Sequence, residues 1–498
     1  MDSYYVLKTL GCKANFYDSQ LIEAELQKRG WKPLPAGALA SPASQDSSVL
    51  CVVNSCTVTD EADRQSRKMA AKLARDNPNA RVVVTGCAAE VDPERLTASK
   101  GIHYVIGNRD KPKLVEIILD KIAQTASQDP PSKGEVLGAA QGYEEILSKH
   151  PMDREWPAGG EAFHVPPTHL DGHSGKTRAF LKIQEGCNSF CTYCIIPYGR
   201  GPARSLRPRE VIEQVRKLIS EGIREIVITG TNIGDYGSDW AETAQHGELF
   251  QMILQETSLE RLRVSSLDPT EITDQILDLM AREPRFCPHF HVSLQSPHSR
   301  VLRLMKRRYG FEQVESCLKK IAALRAPVGG VFVGMDVITG FPGESESEFE
   351  WGYEALSALP WTRLHVFPYS EREGTPATRL PGSVRQDERV KRARKLNELS
   401  LARMRTHHEK VLETLSATGG SLDGILLERA GRGPEGMSSE LLAKFEGVER
   451  WQAGYTSNYL RVFVPEVENS RNELVSVVPV GLVTDPQNGD VAFVGRVK

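Results

Sequence analysis

Three cysteines, Cys187, Cys191 and Cys194, fall inside EGCNSFCTYC at C-x3-C-x2-C spacing. Structural zinc ordinarily closes with four ligands, often as two C-x2-C pairs. This loop holds no fourth Cys or His. A four-iron cluster takes one thiolate per iron, so three thiolates leave one iron open to bind and activate a substrate. The spacing points to a catalytic cluster, with zinc or plain structural cysteines as the alternatives. Three further cysteines lie far apart: Cys12 in TLGCKAN, Cys56 in VVNSCTVTD and Cys87 in VTGCAAE. Each follows a short apolar stretch. Strand ends of one parallel sheet share a rim, so the three could converge; the alternative is three small buried hydrophobes.

The elements that must position these groups are legible as an alternation. In residues 1–125, YYVLKTL, VLCVVNS and RVVVTG read as buried parallel strands, and SQLIEAELQKRG between the first two reads as a helix ending at Gly30. This is an α/β domain. Residues 126–176 are rich in Pro, Gly and Ser and read as a linker or insertion, with one short helix around Tyr143 to Lys149. From 177 to 382, FLKIQEG, REIVITG, RLRVSS, HFHVSLQ, GMDVITG and RLHVFPY read as six strands with helices between them. That is a parallel barrel or part of one, with chemistry at the C-terminal strand ends, where the cysteine loop falls. Ser383 to Leu415 reads as one long basic helix within a connecting segment, 383–416. Residues 417–498 read as a small β-barrel.

The totals exclude little beyond this. The chain has 498 residues, 62 Lys+Arg against 65 Asp+Glu, and nine cysteines, too few for a disulfide scaffold of this length. The start has no basic n-region followed by a long apolar run, and no stretch of about 18 apolar residues occurs, so no signal and no membrane span are expected. A cytoplasmic protein is expected.

The words around the cysteines carry a resemblance. C-x3-C-x-aromatic-C, with Tyr193 before the last cysteine, resembles the signature of radical S-adenosylmethionine enzymes. GCKAN, VVNSCTVTD and VTGCAA look like the three cysteine motifs of the methylthiotransferases within that group. The resemblance covers nearly the whole chain. It implies a partial (β/α)6 barrel, a C-terminal barrel of the TRAM type, S-adenosylmethionine, and two [4Fe-4S] clusters. Cys187, Cys191 and Cys194 would hold one; Cys12, Cys56 and Cys87 would hold the other. Cys51, Cys287 and Cys317 match no motif and read as structural. LKIQEGCN, HVSLQS, DVITGFPGE, LHVFPYSEREGTPA and GYTSNYLRV look most like the branch acting on N6-threonylcarbamoyladenosine at position 37, beside the anticodon of ANN-decoding tRNA. The other branches modify isopentenyladenosine or an aspartate of a ribosomal protein, and their first motifs typically read GCQMN and GCPKN. A rival of another class is a non-catalytic RNA-binding protein with structural zinc.

The implied reaction uses one S-adenosylmethionine to methylate a sulfur associated with the second cluster and another to generate a radical that removes hydrogen from adenine. An electron donor such as flavodoxin or ferredoxin is implied, and a monomer is expected. S-adenosylmethionine contacts are expected at strand ends: Thr229, Gly230, Ser265, Ser266, Gln295 and Asp336, together with Tyr193. For tRNA, RGPARSLRPR offers Arg200, Arg204 and Arg207 beside the cysteine loop; RLMKRR and the basic helix are further candidates. From Ala417 to Lys498 there are 8 Lys+Arg against 11 Asp+Glu, a poor phosphate grip, so RNA binding there would need stacking by Tyr455, Tyr459 or Phe463. Leu206 stands where the family commonly has arginine, and Pro297 where glycine is usual.

Overall fold

The computed structural model describes residues 3–35, 48–125, 129–131, 133–140, 142, 177–240, 245–468 and 470–498. The first unit runs β1 (Ser3–Thr9), α1 (Lys13–Lys28), β2 (Lys32–Pro33), β3 (Ser48–Ser55), α2 (Asp60–Asp76), β4 (Arg81–Gly86), α3 (Cys87–Val91), α4 (Pro93–Thr97), β5 (Tyr104–Ile106), α5 (Leu114–Gln124) and β6 (Glu135–Leu137). The strands form one parallel sheet in the order β2-β1-β3-β4-β5-β6. Helices cover both faces, so the central strands are buried throughout: all of Leu50–Ser55 is buried in β3. That burial on both sides is why the strands read as apolar runs rather than alternations. Strand β6 corrects the linker expected at 126–176, because three of its residues pair with β5 at the sheet edge. The helix expected at 143–149 lies outside the described residues.

The second unit holds β7 (Arg178–Glu185), α6 (Ile196–Arg200), β8 (Arg204–Ser205), α7 (Pro208–Ser220), β9 (Glu225–Gly230), α8 (His246–Glu256), β10 (Arg261–Val264), β11 (Ser266–Leu267), α9 (Asp274–Arg282), β12 (His289–Gln295), α10 (Ser299–Leu304), α11 (Phe311–Ala322), β13 (Phe332–Thr339), α12 (Glu346–Ala358) and β14 (Arg363–Pro368). All six expected strands form. They make two parallel arcs, β7-β9-β10 and β11-β12-β13-β14, broken at Ser265, with β8 added antiparallel to β7. Ala179, Leu181, Ile226, Ile228, Val292, Leu294, Met335 and Leu364 point outward into one apolar core shared with the helices. The alternate residues line the lumen.

Helix α13 runs Gln386–Thr418 and ends on Gly419 with φ 62°, a left-handed cap. It therefore begins and ends three residues later than the pattern implied. Its basic residues divide: Lys391, Arg394, Arg405 and Lys410 are exposed, while others are spent within the fold. Arg389 and Arg392 are buried, with Arg392 pairing to Glu344 and Glu346 at 2.8 Å each. The last strands, β15 (Leu422–Leu427), β16 (Trp451–Tyr455), β17 (Arg461–Pro465), β18 (Leu474–Thr484) and β19 (Val491–Val497), close a barrel in the order β15-β16-β17-β19-β18, with α14 (Ser439–Lys444) between β15 and β16. This barrel docks on the N-terminal strand ends of the second unit. Arg261 donates to the carbonyls of Gly424, Tyr455 and Thr456 at 2.9, 3.1 and 2.7 Å. Arg178 and Arg461 both reach Glu428 at 2.6 Å. The aromatics that RNA binding by this barrel would need for stacking belong to this docking and to the barrel core. Tyr455 and Tyr459 stack on each other at 4.6 Å, Tyr459 lies 4.5 Å from His289, and Phe463 is buried. Among the described residues no helix is long and apolar enough to cross a membrane.

Candidate active site

The cysteine loop leaves β7 through Gly186, whose φ of 77° favours a residue without Cβ. It is closed at its base by the Cys187 amide donating to Gly201 O at 3.1 Å. Phe190, in the loop centre, holds φ 46° without being glycine, a strained conformation that such sites tolerate when their surroundings enforce it. The far side is tied to the α10 turn: Thr192 N donates to Met305 O at 3.1 Å and Thr192 Oγ1 to Leu304 O at 2.8 Å. Tyr193 lies edge-on to Phe341 at 6.3 Å and so packs as a wall of the loop. Burial, and next the charge of Asp235, push the Cys187 thiol well up; burial and then Cys191 push Cys194 up to about 12. Thiols of this kind ionise when a positive centre is bound to them. One such charge is present already: Arg307 Nη1 lies 3.1 Å from Cys191 Sγ, and its other nitrogen pairs with Asp268.

The dispersed cysteines share one rim of the first sheet. β1, β3 and β4 are neighbours, and their carboxyl ends deliver Cys12 as the N-cap of α1, Cys56 just past β3, and Cys87 as the first residue of α3. A Cβ on Gly11 would stand 2.6 Å from Cys56 Sγ. Burial, with Cys87 and Cys12 also contributing, pushes Cys56 up to about 12. Among the described residues, no three His, Cys, Asp or Glu side chains converge tightly enough to hold a single metal ion.

The two cysteine sets face one another. A Cβ on Gly199 of α6 would lie 3.3 Å from Cys87 Cβ. Asn108 Nδ2 bridges the seam, donating to Cys87 Sγ at 3.4 Å and to Gly199 O at 2.7 Å. Cys87 is among the charges acting on Cys194. Cys51, Cys287 and Cys317 are buried core residues, as expected.

The strand-end residues divide. Thr229 and Ser265 are joined through their hydroxyls at 3.2 Å on adjacent strands. Gly230 packs on Gln184, with a Cβ there 3.1 Å from Gln184 Cβ. Gln295 has φ 64° at a bulge in the β12–β13 pairing. Ser266 begins β11 and pairs with His291. Asp336 is a correction: it sits within β13 rather than at its end, 2.9 Å from His291 Nε2.

The arginines divide as well. Arg200 is not a surface phosphate contact. It is buried and meets Glu185 Oε1 at 2.5 Å, Asn15 Oδ1 at 2.5 Å and Asp18 Oδ2 at 3.4 Å, tying the second unit to α1. Asp18 also pairs with Lys182 and Lys111. Asn15 and Asp18 lie 185 and 182 residues from Arg200 in sequence, so no local pattern announces them. Arg204 Nη2 donates to Arg200 O at 3.1 Å. Arg207 is exposed, with its guanidinium 4.5 Å from the Trp240 ring. Leu206 is buried in the barrel core, so the shifted register leaves Arg207 facing outward. Pro297 abuts Gly352 of α12, where a Cβ would stand 2.5 Å from Pro297 Cγ. Arg307, Asn108 and the lumen histidines His289, His291 and His365 were not singled out from sequence. The only local signals were RLMKRR and the alternation in HFHVSLQ.

Residues 181–355 match the radical SAM superfamily model, and residues 4–107 match the model described as uncharacterized protein family UPF0004. The chain is 33% identical over 470 residues to the threonylcarbamoyladenosine tRNA methylthiotransferase MtaB of Bacillus subtilis (strain 168), covering 94% of this chain and 92% of that one. It is 34% identical over 403 residues to the MtaB of Aquifex aeolicus (strain VF5), covering 81% and 89%. Among solved structures, the radical S-adenosylmethionine methyltransferase TsrM from Kitasatospora setae shares the fold at TM-score 0.51 and 18% identity, covering 76% of this chain and 75% of that one.

Proposed function

The chain belongs to the radical S-adenosylmethionine methylthiotransferases, and from that membership we propose that it adds a methylthio group to carbon 2 of N6-threonylcarbamoyladenosine at position 37 of ANN-decoding tRNA. The observation that carries this reading is the seam at which Cys87 meets α6, because methylthio transfer needs a sulfur source beside a radical source. Cys187, Cys191 and Cys194 would hold a [4Fe-4S] cluster supplying one-electron cleavage of S-adenosylmethionine, and Cys12, Cys56 and Cys87 a second that carries sulfur. The chain's own residues do the positioning. Asn108 and Gly199 hold the two loops at close approach. Thr192 pins the cysteine loop to α10. Thr229, Gly230, Ser265, Ser266 and Gln295 supply polar groups at or beside the carboxyl ends of the strands, where this fold places its cofactor contacts. Arg204 and Arg207 contribute charge to the tRNA side. A soluble electron donor of the flavodoxin or ferredoxin kind, a monomeric state and a cytoplasmic setting complete the proposal.

The test is mass spectrometry of tRNA nucleosides from a host lacking the activity, with and without this gene. A methylthio mass gain on threonylcarbamoyladenosine is expected. A gain on isopentenyladenosine instead would overturn the substrate. No gain on any nucleoside, with iron and sulfide intact, would transfer the proposal to a ribosomal-protein aspartate.

A further inference from the structure

The lumen of the second unit holds polar groups that the steps above leave unused. Alternation along β12, β13 and β14 sends His289, His291, Asp336 and His365 inward. His291, Asp336 and His365 keep part of their surface open, while Val292, Leu294, Met335, Val337 and Leu364 between them are buried against helices. His291 and His365 stack at 5.1 Å. The floor is Tyr459, with the Arg263 guanidinium 4.9 Å from its ring. Two buried nitrogens there have no partner among the described residues: Arg263 Nη1, on a residue 1% exposed, and His289 Nδ1, on a residue 5% exposed. A buried donor left unmet costs about 1–3 kcal/mol, so Arg263 Nη1 points to a missing acceptor, as does His289 Nδ1 in the tautomer that carries the proton there. The carboxylates at hand are committed, Glu225 to Arg261 and Arg263 and Asp336 to His291.

A third positive group enters from the first unit. Lys13 is the first residue of α1. Tyr17, one turn on and hence on the same helix face, packs into the core of the second unit. Lys182 of β7 sits 5.5 Å from the Tyr17 ring. Lys13 is partly buried; the charges of Tyr459, Arg263, Arg178 and Asp336 act on its ammonium, and it acts in turn on His289 and His365. Among the described residues it makes no hydrogen bond or ion pair.

We propose that Lys13, with Arg263 Nη1 and His289, forms an anion pocket that takes the carboxylate of an amino-acid group carried on the adenine. Lys13 thereby selects an amino-acid-modified adenine over an alkylated one. The pocket rests on the function proposed above and deepens it. Because Lys13 directly follows Cys12, the carboxylate is held at a fixed offset from the second cysteine set, which orients the adenine edge toward the sulfur.

The experiment compares two anticodon stem-loop RNAs on the holoenzyme, one carrying N6-threonylcarbamoyladenosine and one its carboxamide. Masking the carboxylate is expected to raise KM about 10- to 100-fold, the range of a charge-assisted contact. Lys13→Met is expected to raise KM for the acid by a similar factor and to leave KM for the carboxamide within about twofold. Lys13→Arg should restore most of the preference. Equal handling of the two RNAs by the wild type would overturn the pocket, and needs no variant to fold. A Lys13→Met enzyme that still discriminates, or that loses both RNAs alike with its iron retained, would overturn it too. If the wild type modifies the isopentenyl RNA and neither of these, the substrate itself is wrong and the pocket falls with it.

Discussion

Replacing Arg200 by methionine separates a tRNA-binding arginine from one that joins two folding units. Arg200 meets Glu185 at 2.5 Å and Asp18 at 3.4 Å, all three buried. Breaking a buried ion pair from one side ordinarily costs 3–5 kcal/mol. Lys182 still faces both carboxylates and Lys111 still faces Asp18, so the cost here should fall near the lower end, about 3 kcal/mol. With a urea slope of about 3 kcal/mol/M, the midpoint should drop by roughly 1 M. Acid should reveal the same network. Burial raises the Glu185 pKa, but Arg200 and Lys182 together outweigh it and hold the group at about 2. A folded-state pKa below the unfolded one gives stability that is full above the ordinary carboxylate range and is lost as pH falls toward about 2. Without Arg200 the Glu185 pKa rises, so the variant should begin to unfold at a higher pH than the wild type. Urea titration of the anaerobic holoenzyme by tryptophan fluorescence, at neutral pH and at pH near 4, measures both effects. An unchanged midpoint, with tRNA affinity reduced and its salt slope smaller by about one, would refute this account and return Arg200 to the phosphate backbone.

Three other outcomes are expected. Arg307→Gln removes a positive charge 3.1 Å from Cys191 Sγ. The charge favours the more negative, reduced cluster, so the potential measured by EPR-monitored titration should fall, by on the order of 60 mV for each tenfold loss of that preference. Gly11→Ala places a Cβ 2.6 Å from Cys56 Sγ at φ 93°; iron analysis should show loss at the Cys12/Cys56/Cys87 set with the other set retained, and full iron would contradict the convergence. Arg207→Ala should leave the urea midpoint unmoved, since the residue is exposed on Trp240, while tRNA binding weakens and the salt slope falls by about one.

What could be read from the chain alone was whatever is encoded locally. Cys187, Cys191 and Cys194 read as ligands by spacing, because one loop carries all three. The six barrel strands announce themselves because they recur with helices between them and bury alternate apolar residues against those helices. The long helix was legible too, but not the use of its charges. Whether an arginine is solvated or buried depends on which carboxylate folding brings to it, and Arg389 and Arg392 find theirs across α13 from other elements. The same reason explains Arg200, whose partners Asn15 and Asp18 come from α1. It also explains Tyr459, which looked like a stacking platform and is instead a floor between two units. Cys12, Cys56 and Cys87 became a set only when β1, β3 and β4 aligned their ends. Lys13 gained a role only when α1 laid its first turn against the lumen. Periodicity and spacing record contacts made within a loop or an element. Contacts between elements are set by the packing that minimises exposed apolar surface, and that packing alone decided which charges, rings and thiols meet.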